Sequence, residues 1–504
     1  MANWRKTTTI TAITAALAAG TLAGCGSSDK AAENSTAKPT SNEPLEITML
    51  ATMYGANPPS GPLQKMLEEA TNTKLNFTWV PGSVYTDKMT TAIAANTMPK
   101  VIQVHSVEMK NTAVVNAIRS GMFWEIGDLI KDYPNLVKYQ DPKVLEGTKY
   151  FGKLYSLFYE IDLSRTGVQY RKDWLDKLGL KVPTNLDELY EVMKAFTYND
   201  PDGNGVQDTY GNVDRNELPY GAFKNIATWY GTPNEWGVDD SGKLMPDFTF
   251  PGYMDAMKYM KRLYDEKLIN QDFTVTTPAQ QDEKFLNGKG GMMIGNIFAK
   301  PDNIKKVNPN AELDVFNRIQ GPRGTFNYGG TGVATLYLFP KTSVKTEAEL
   351  RQILSFFNKL LEPDVYKLFN GVEGVHYKKL DDKTIEFLPE AADLRTNEIS
   401  PWSNVLHFAN FNVYKVKQLP LAQKQLDAIA DNKSIAVMNP AANLISTTQA
   451  EKGTELQKII TDATYKFILG TIDANGFNKE VEKWRKGGGD KIIEELNSQY
   501  KGNK

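Results

Sequence analysis

Apolar and polar residues alternate along Leu45-Glu-Ile-Thr-Met-Leu50 and predict a half-buried strand. The alternation stops in 51–61, a loop with Gly55, Pro58, Pro59 and Gly61. Leu63, Met66, Leu67 and Ala70 then recur at helical spacing. Residues 75–79 predict a second strand, 86–96 a helix and 101–104 a third strand. This βαβ rhythm predicts a parallel sheet with helices on both faces. In such sheets ligands sit beyond the carboxyl ends of the strands, here 51–60, 80–85 and 105–108.

Pro183 and Thr184 open the best-bounded helix, 184–197: the Thr184 hydroxyl can cap it and Asp187 stands three residues on. Leu186, Leu189, Tyr190, Met193 and Phe196 form its apolar face. Further helices are predicted at 252–268, 346–361, 449–469 and 488–500, and strands at 291–294 and 332–338. Lys378–Lys383 reads as a solvated hairpin.

Composition narrows the function classes. A chain of 504 residues exceeds one ordinary domain. Lys+Arg is 58 against Asp+Glu 60, with no basic run, which argues against nucleic-acid binding. One Cys and three His exclude an internal disulfide framework and a Cys/His zinc site. At the start, Arg5 and Lys6 precede the uncharged stretch 7–24, a secretory signal too Thr/Ala-rich to remain as a membrane span. It ends Leu22-Ala-Gly-Cys25, which resembles a bacterial lipobox, with Cys25 diacylated as the first mature residue. Residues 25–43 carry almost no apolar side chains and read as a flexible tether. An exported body of this kind has no access to cytosolic nucleotide cofactors.

Asp200-Pro-Asp202-Gly-Asn204-Gly-Val206-Gln-Asp208 puts an oxygen donor at every second position: four side chains and the Val206 carbonyl. Gly205 occupies the sixth position, where the turn needs positive φ. Hard oxygen donors suit Ca2+ in a structural role. Position twelve is Gly211 instead of a bidentate Glu, so water, Asp214 or Glu217 would complete the set. A surface turn without an ion is the alternative.

The order of segments resembles bacterial extracellular solute-binding proteins of family 1, the sugar receptors of ABC importers, and in particular long Gram-positive lipoproteins of the LplA type. The resemblance rests on the lipobox, Gly152–Ser156, Tyr170–Gly179, Pro183–Leu189, the 200–211 loop, Gly290–Ile294, Gly371–Tyr377 and Trp484–Tyr500. It implies an α/β, type II, maltose-binding-protein-like fold: two lobes closing by a hinge on a ligand cleft. Lobe one is expected at 44–160 and 331–373, lobe two at 161–330 and 374–504. Crossings are expected near 158–165, 328–332 and 371–376. The implied protein is a monomer anchored on the outer face of the cell membrane by lipid alone, with a carbohydrate ligand and importer permease subunits as partners.

A sugar needs flat rings for its C–H faces and fixed polar groups for its hydroxyls. From the strand ends come Tyr54, Asn57, Tyr85, His105 and Glu108; from the crossings, Arg165 and Tyr328; from loop-rich segments, Phe223, Trp229, Trp236 and Trp402. For Trp229 and Trp236 the pattern fits pocket and core equally, whereas Trp402, after Pro401, reads as a loop residue favouring the pocket. His105 could instead be a satisfied strand-end histidine and Arg165 an interlobe ion pair. Trp174 and Trp484 read as core. No grouping of carboxylates suggests catalysis, so a non-enzymatic receptor is expected. An exported glycoside hydrolase or lyase, or a receptor for another solute, are the alternatives.

Overall fold

The computed structural model describes residues 43–55, 57–299, 301–409 and 411–500. The signal segment 1–24, Cys25 and the tether up to residue 42 lie outside them. Nine strands build two principal sheets: β1 (Leu45–Met53), β2 (Thr73–Pro81), β3 (Val101–His105), β4 (Ser156–Glu160), β5 (Thr166–Arg171), β6 (Tyr210–Asn212), β7 (Gly290–Asn296), β8 (Leu313–Phe316) and β9 (Val333–Leu338).

The first sheet has the order β2-β1-β3-β9-β4. β1 runs parallel to β2 and β3, as the βαβ rhythm predicts. β9 lies antiparallel between β3 and β4, so the sheet is mixed and not wholly parallel. The reason is connectivity: β9 returns from the second lobe and starts where β3 and β4 end. Alternation along β1 sends Ile47, Met49 and Ala51 to one face, against helices Leu63–Thr71 and Glu347–Leu360, and Leu50 to the other, against helix Gly82–Ala94. Each fully buried side chain of this size contributes roughly 1.5–3 kcal/mol.

The second sheet, β8-β5-β7-β6, is antiparallel except for the β6–β7 pair. Val168, Tyr170, Met292 and Ile294 pack on helices Leu186–Tyr198 and Pro251–Asp265; Met293 and Val315 face Ile304, Ala428 and Ile429. A Cβ on Gly291 would lie 2.0 Å from the Phe196 ring, so glycine sets how closely β7 meets its helix. Helix Leu186–Tyr198 starts two residues later than predicted, because Asn185 is its cap and accepts the Glu188 N–H at 2.9 Å. The Glu188 carboxylate in turn holds the Thr184 N–H and hydroxyl, both at 2.8 Å.

The lobes are joined at 161–165, at 329–332 and at 417–419. The third crossing corrects the expectation of 371–376. The chain after residue 374 stays in the first lobe: strand Thr384–Phe387 pairs with Tyr377–Lys379 and Lys415–Val416, and Ile399, Trp402, Val405, Leu406 and Phe408 fill the first-lobe core. Only with helix Pro420–Asn432 does it enter the second lobe. No helix among the described residues is long and apolar enough to cross a membrane.

Candidate functional site

A cavity of about 660 Å3 lies between the lobes. Its floor is made by Leu163 and Gly329–Thr331 of the first two crossings, with Tyr328 just before the second. The first lobe supplies Asp141, Pro142, Val144, Glu146 and Gly147; the second supplies Asn234, Glu235, Lys433, Met438, Asn439, Ala442 and Asn443. A recess of about 100 Å3 shares Leu163, Tyr328 and Gly330 and adds Asp162, Arg165, Pro219, Tyr220, Asn225 and Asn296. The larger volume falls in the range of small-molecule sites.

The floor is fixed by local pairing. Tyr328 pairs with Val437 in a short parallel bridge, and its carbonyl accepts the Ser164 hydroxyl at 2.8 Å. Beside it, Asn327 donates to Asn432 Oδ1 at 2.6 Å and accepts from Trp229 Nε1 at 3.0 Å. Burial raises the Tyr328 phenol, so it stays protonated and able to donate. Two lining asparagines are almost fully buried, and their Oδ1 atoms have no donor among the described residues: Asn225 and Asn234. Asn234 Nδ2 donates to the carbonyls of Gly329 and Val437.

Direct contacts bridge the lobes around the cavity. Lys110 Nζ donates to the Ala441 carbonyl at 3.2 Å and Thr112 Oγ1 to that of Ala450 at 2.7 Å. Lys433 approaches Asp141 at 3.8 Å. Burial lowers the Lys110 ammonium pKa, opposed by the nearby Glu235 charge. Burial raises the Glu160 carboxyl; the Asp141 N–H that it accepts at 3.2 Å and the Lys433 charge oppose the rise, and the Asp141 and Asp162 charges add to it.

The residues singled out in the sequence fall into three groups. Tyr328 lines both cavities, and Arg165 lines the recess with its guanidinium 5.6 Å from the Phe298 ring centroid. Tyr54, Tyr85, His105 and Glu108 gather beyond β1 and β3 but line neither cavity. There His105 Nε2 meets Thr52 Oγ1 at 2.7 Å and Nδ1 meets Thr335 Oγ1 at 3.1 Å, and burial lowers its pKa against Glu108. Glu108 accepts the Thr86 hydroxyl. Tyr54 and Asn57 are exposed on the loop that follows β1.

A third group, to which Tyr85 also belongs, corrects the expectation. Tyr85, Phe223, Trp229, Trp236 and Trp402 are buried core residues. Tyr85 donates to the carbonyls of Leu50 and Gln103. Phe223 packs edge-on to Tyr253, Trp236 sits with Leu244 and Trp484, and Trp229 braces the Tyr328 strand through Asn327. Trp402 lies in helix Ser400–Leu406, not in a loop, with Phe77 and Trp79 at 5.4 and 5.3 Å. The lining residues that sequence reasoning missed, notably Asp141, Asn234, Glu235, Lys433 and Asn439, lie in or beside polar turns. Their only signal was Asp/Asn–Pro and Pro–Asn punctuation at 141–142, 233–234 and 439–440.

In the 200–208 loop, Gly203 and Gly205 adopt φ +76 and +77. Asp200 accepts the N–H groups of Asn204 and Gly205 at 3.0 and 3.1 Å. The Asn204 amide lies 2.8 Å from Asp202 Oδ2 and 3.4 Å from Asp208 Oδ1, and Lys289 pairs with Asp208. The Val206 side chain is exposed. Among the described residues no three His, Cys, Asp or Glu side chains converge as metal ligands.

Comparison with known proteins gives a consistent picture. A family profile described as "Bacterial extracellular solute-binding protein" matches residues 56–367. The chain is 43% identical over 485 residues to the polygalacturonan/rhamnogalacturonan-binding protein YtcQ of Bacillus subtilis, covering 96% of each chain. It is 35% identical to lipoprotein LipO of the same organism, covering 97% of each. Among solved structures, the HMO-binding, ABC-transporter-associated solute-binding protein of Bifidobacterium longum infantis aligns with a TM-score of 0.70 at 17% identity, over 91% of this chain and 98% of that one. That likeness carries the two-lobe fold.

Proposed function

Because the chain belongs to the family of bacterial extracellular solute-binding proteins, we propose that it captures an oligosaccharide between its lobes and delivers it to the permease subunits of an ABC importer. The observation that carries this reading is the cavity itself: both lobes and two crossings contribute to it, so hinge motion opens and closes it. The relative YtcQ is named for binding two sugar polymers, which supports a carbohydrate ligand. The family and the relative YtcQ are described as binding proteins, which supports a ligand that leaves the site unaltered.

The lipobox, together with the name of the relative LipO, supports lipid anchoring at Cys25 on the outer face of a Gram-positive membrane. A monomer suffices, because both walls of the cavity come from one chain. Calcium in the 200–208 loop is part of the same reading. Asp200, Asp202, Asn204, Asp208 and the Val206 carbonyl would hold it, and the ion would balance carboxylate charge that the Lys289 ammonium and the Asn204 N–H donors otherwise meet.

The test is calorimetry and thermal shift of the full chain against a panel of oligosaccharides, with mass spectrometry of the recovered ligand. Saturable binding, a raised melting temperature and intact sugar are expected. Shortened sugar would convert the reading to an enzyme. Cys25→Ser is expected to move the protein from the membrane to the soluble fraction.

A further inference from the structure

Resting on the carbohydrate reading, we infer that the lobes part and close on one side only. On that side Tyr54, Tyr220 and Phe298 rim a mouth through which a glycan enters, its outer units lying across these rings. On the other side a second-lobe strap, 439–446, stays seated on the first lobe as the pivot.

The two sides follow the two faces of the first-lobe sheet. Alternation along β4 and β9 sends Phe158 and Leu336 to one face, and Leu157 and Tyr337 to the other. The strap meets the first of these faces, where Ile445 packs on the cluster of Val114, Tyr150, Phe158 and Leu336. Its backbone nevertheless belongs to the second lobe. Leu444 packs on the cluster that contains Leu456 and Trp484. The Ile445 N–H donates to Gln499 Oε1 at 3.3 Å, and the Ile445 carbonyl accepts from Gln499 Nε2 at 2.7 Å. From the first lobe, Lys110 and Thr112 donate to the carbonyls of Ala441 and Ala450, and Arg119 donates to the Thr447 hydroxyl. Asn443 of the strap returns a bond to the Glu146 carbonyl at 3.4 Å. Parting this side would break these bonds and expose Ile445 to water.

The other side is unbridged. Tyr159 packs on the Tyr337 face, and its phenol lies within electrostatic reach of the Tyr54 phenol and the Arg165 guanidinium. Arg165 stands over the Phe298 ring, and Arg165 and Tyr220 both line the recess. Tyr54 of the first lobe is 60% exposed, and Tyr220 and Phe298 of the second are 49% and 45% exposed. Among the described residues, no hydrogen bond or ion pair joins Tyr54, Tyr159, Tyr220 or Phe298 across the gap between the lobes. With contacts to lose on one side and none on the other, rotation about the crossings costs least at this mouth. The apolar C–H faces of a sugar cover exposed aromatic rings, so a glycan reaching outward from the cavity is the occupant that suits all three.

The test uses α-1,4-tetragalacturonate and β-1,4-galactotetraose as probes, on the full chain carrying Cys25→Ser. Spin labels at the exposed positions Ser60→Cys and Lys305→Cys span the mouth, and a second pair at Asn116→Cys and Glu451→Cys spans the strap side. A bound probe is expected to shorten the first distance and leave the second unchanged in double electron–electron resonance. Phe298→Ala is expected to weaken binding about tenfold at an unaltered melting temperature. Ile445→Ala is expected to change affinity less than about twofold, because a contact equal in both states shifts no equilibrium. A strap-side distance that changes with bound probe, or an affinity that Ile445→Ala moves about tenfold in either direction, overturns the pivot. A mouth distance that bound probe does not shorten overturns closure there. Phe298→Ala binding as tightly as the native chain overturns the role given to the rings. In each of these cases the carbohydrate reading stands. Binding of neither probe, nor of any oligosaccharide in the wider panel, overturns that reading and this inference with it.

Discussion

Two polar clusters, one in each lobe, are arranged on opposite principles. At the strand ends of the first lobe, His105 is held by Thr52 and Thr335, Glu108 by Thr86, and Tyr85 by two carbonyls. That set is closed: its members satisfy one another, so it fixes the shape of the lobe. In the second lobe, Asn225 and Asn234 stand beside the cavities, and their buried Oδ1 atoms have no donor among the described residues. A buried acceptor left without a donor costs roughly 1–3 kcal/mol. The contrast teaches that polar residues at a sheet's carboxyl ends are not by that fact ligand contacts. What counts is whether the protein has already satisfied them.

The largest expected effect tests the aromatic side of this comparison. Trp402→Ala removes a fully buried indole from between Phe77 and Trp79, and is expected to lower stability by about 3–5 kcal/mol. Sugar affinity of the remaining folded protein should be unchanged. Urea unfolding and calorimetry measure the two quantities separately. Lost affinity at full stability would return Trp402 to the cleft.

That residue also shows what could be read from the chain. Alternation in β1 and the spacing of helix Leu186–Tyr198 were legible because each element repeats one rule over several residues. Trp402 was not, because a π-helical turn at Arg395–Ile399 precedes its short helix, and Pro401 imitates a loop. The third crossing was missed for a related reason. Residues 374–416 are short strands and turns without long periodicity, and only tertiary packing assigns them to the first lobe. The cavity wall is made of single residues on turns such as Asn234 and Lys433, where no spacing rule operates.

Acid should separate the lobes next. In the first lobe burial lowers His407 to about 4, stacked on Tyr366 at 4.3 Å. The unfolded chain binds that proton near 6.5, so stability present above pH 6.5 is lost as pH falls towards 4. In the second lobe burial raises Asp214 to about 6, where its Oδ1 accepts the Ala222 N–H at 3.0 Å. The folded state takes that proton first. Stability is fully present below about pH 4 and declines as pH rises through 6. Each effect is at most about 3 kcal/mol, with solvent screening reducing the His407 share. Hydrogen exchange between pH 7 and 4.5 is expected to show protection falling around residues 400–409 and rising around 214–229. His407→Gln and Asp214→Asn should flatten the respective trends. Parallel loss in both lobes, insensitive to these variants, would remove the contrast.

The smallest effect concerns the proposed metal loop, which lies in the second lobe. The loop connects helix Leu186–Tyr198 to β6, Lys289 ties Asp208 to the start of β7, and Lys177 donates to the carbonyls of Asp200 and Pro201. An ion here would therefore brace that junction and leave the first lobe unaffected. With free calcium at ten times its dissociation constant, linkage gives about 1.4 kcal/mol. For a lobe of this size that corresponds to roughly 3–5 °C in Tm. Chelation is expected to lower Tm by that amount and to increase exchange around 196–212 without changing exchange in β1–β3. The paired variant Asp202→Asn with Asp208→Asn should melt at the chelated temperature and ignore added calcium. Melting that is indifferent to chelator would leave the loop as a turn held by Asn204 and Lys289 alone, and would make both lobes independent of metal.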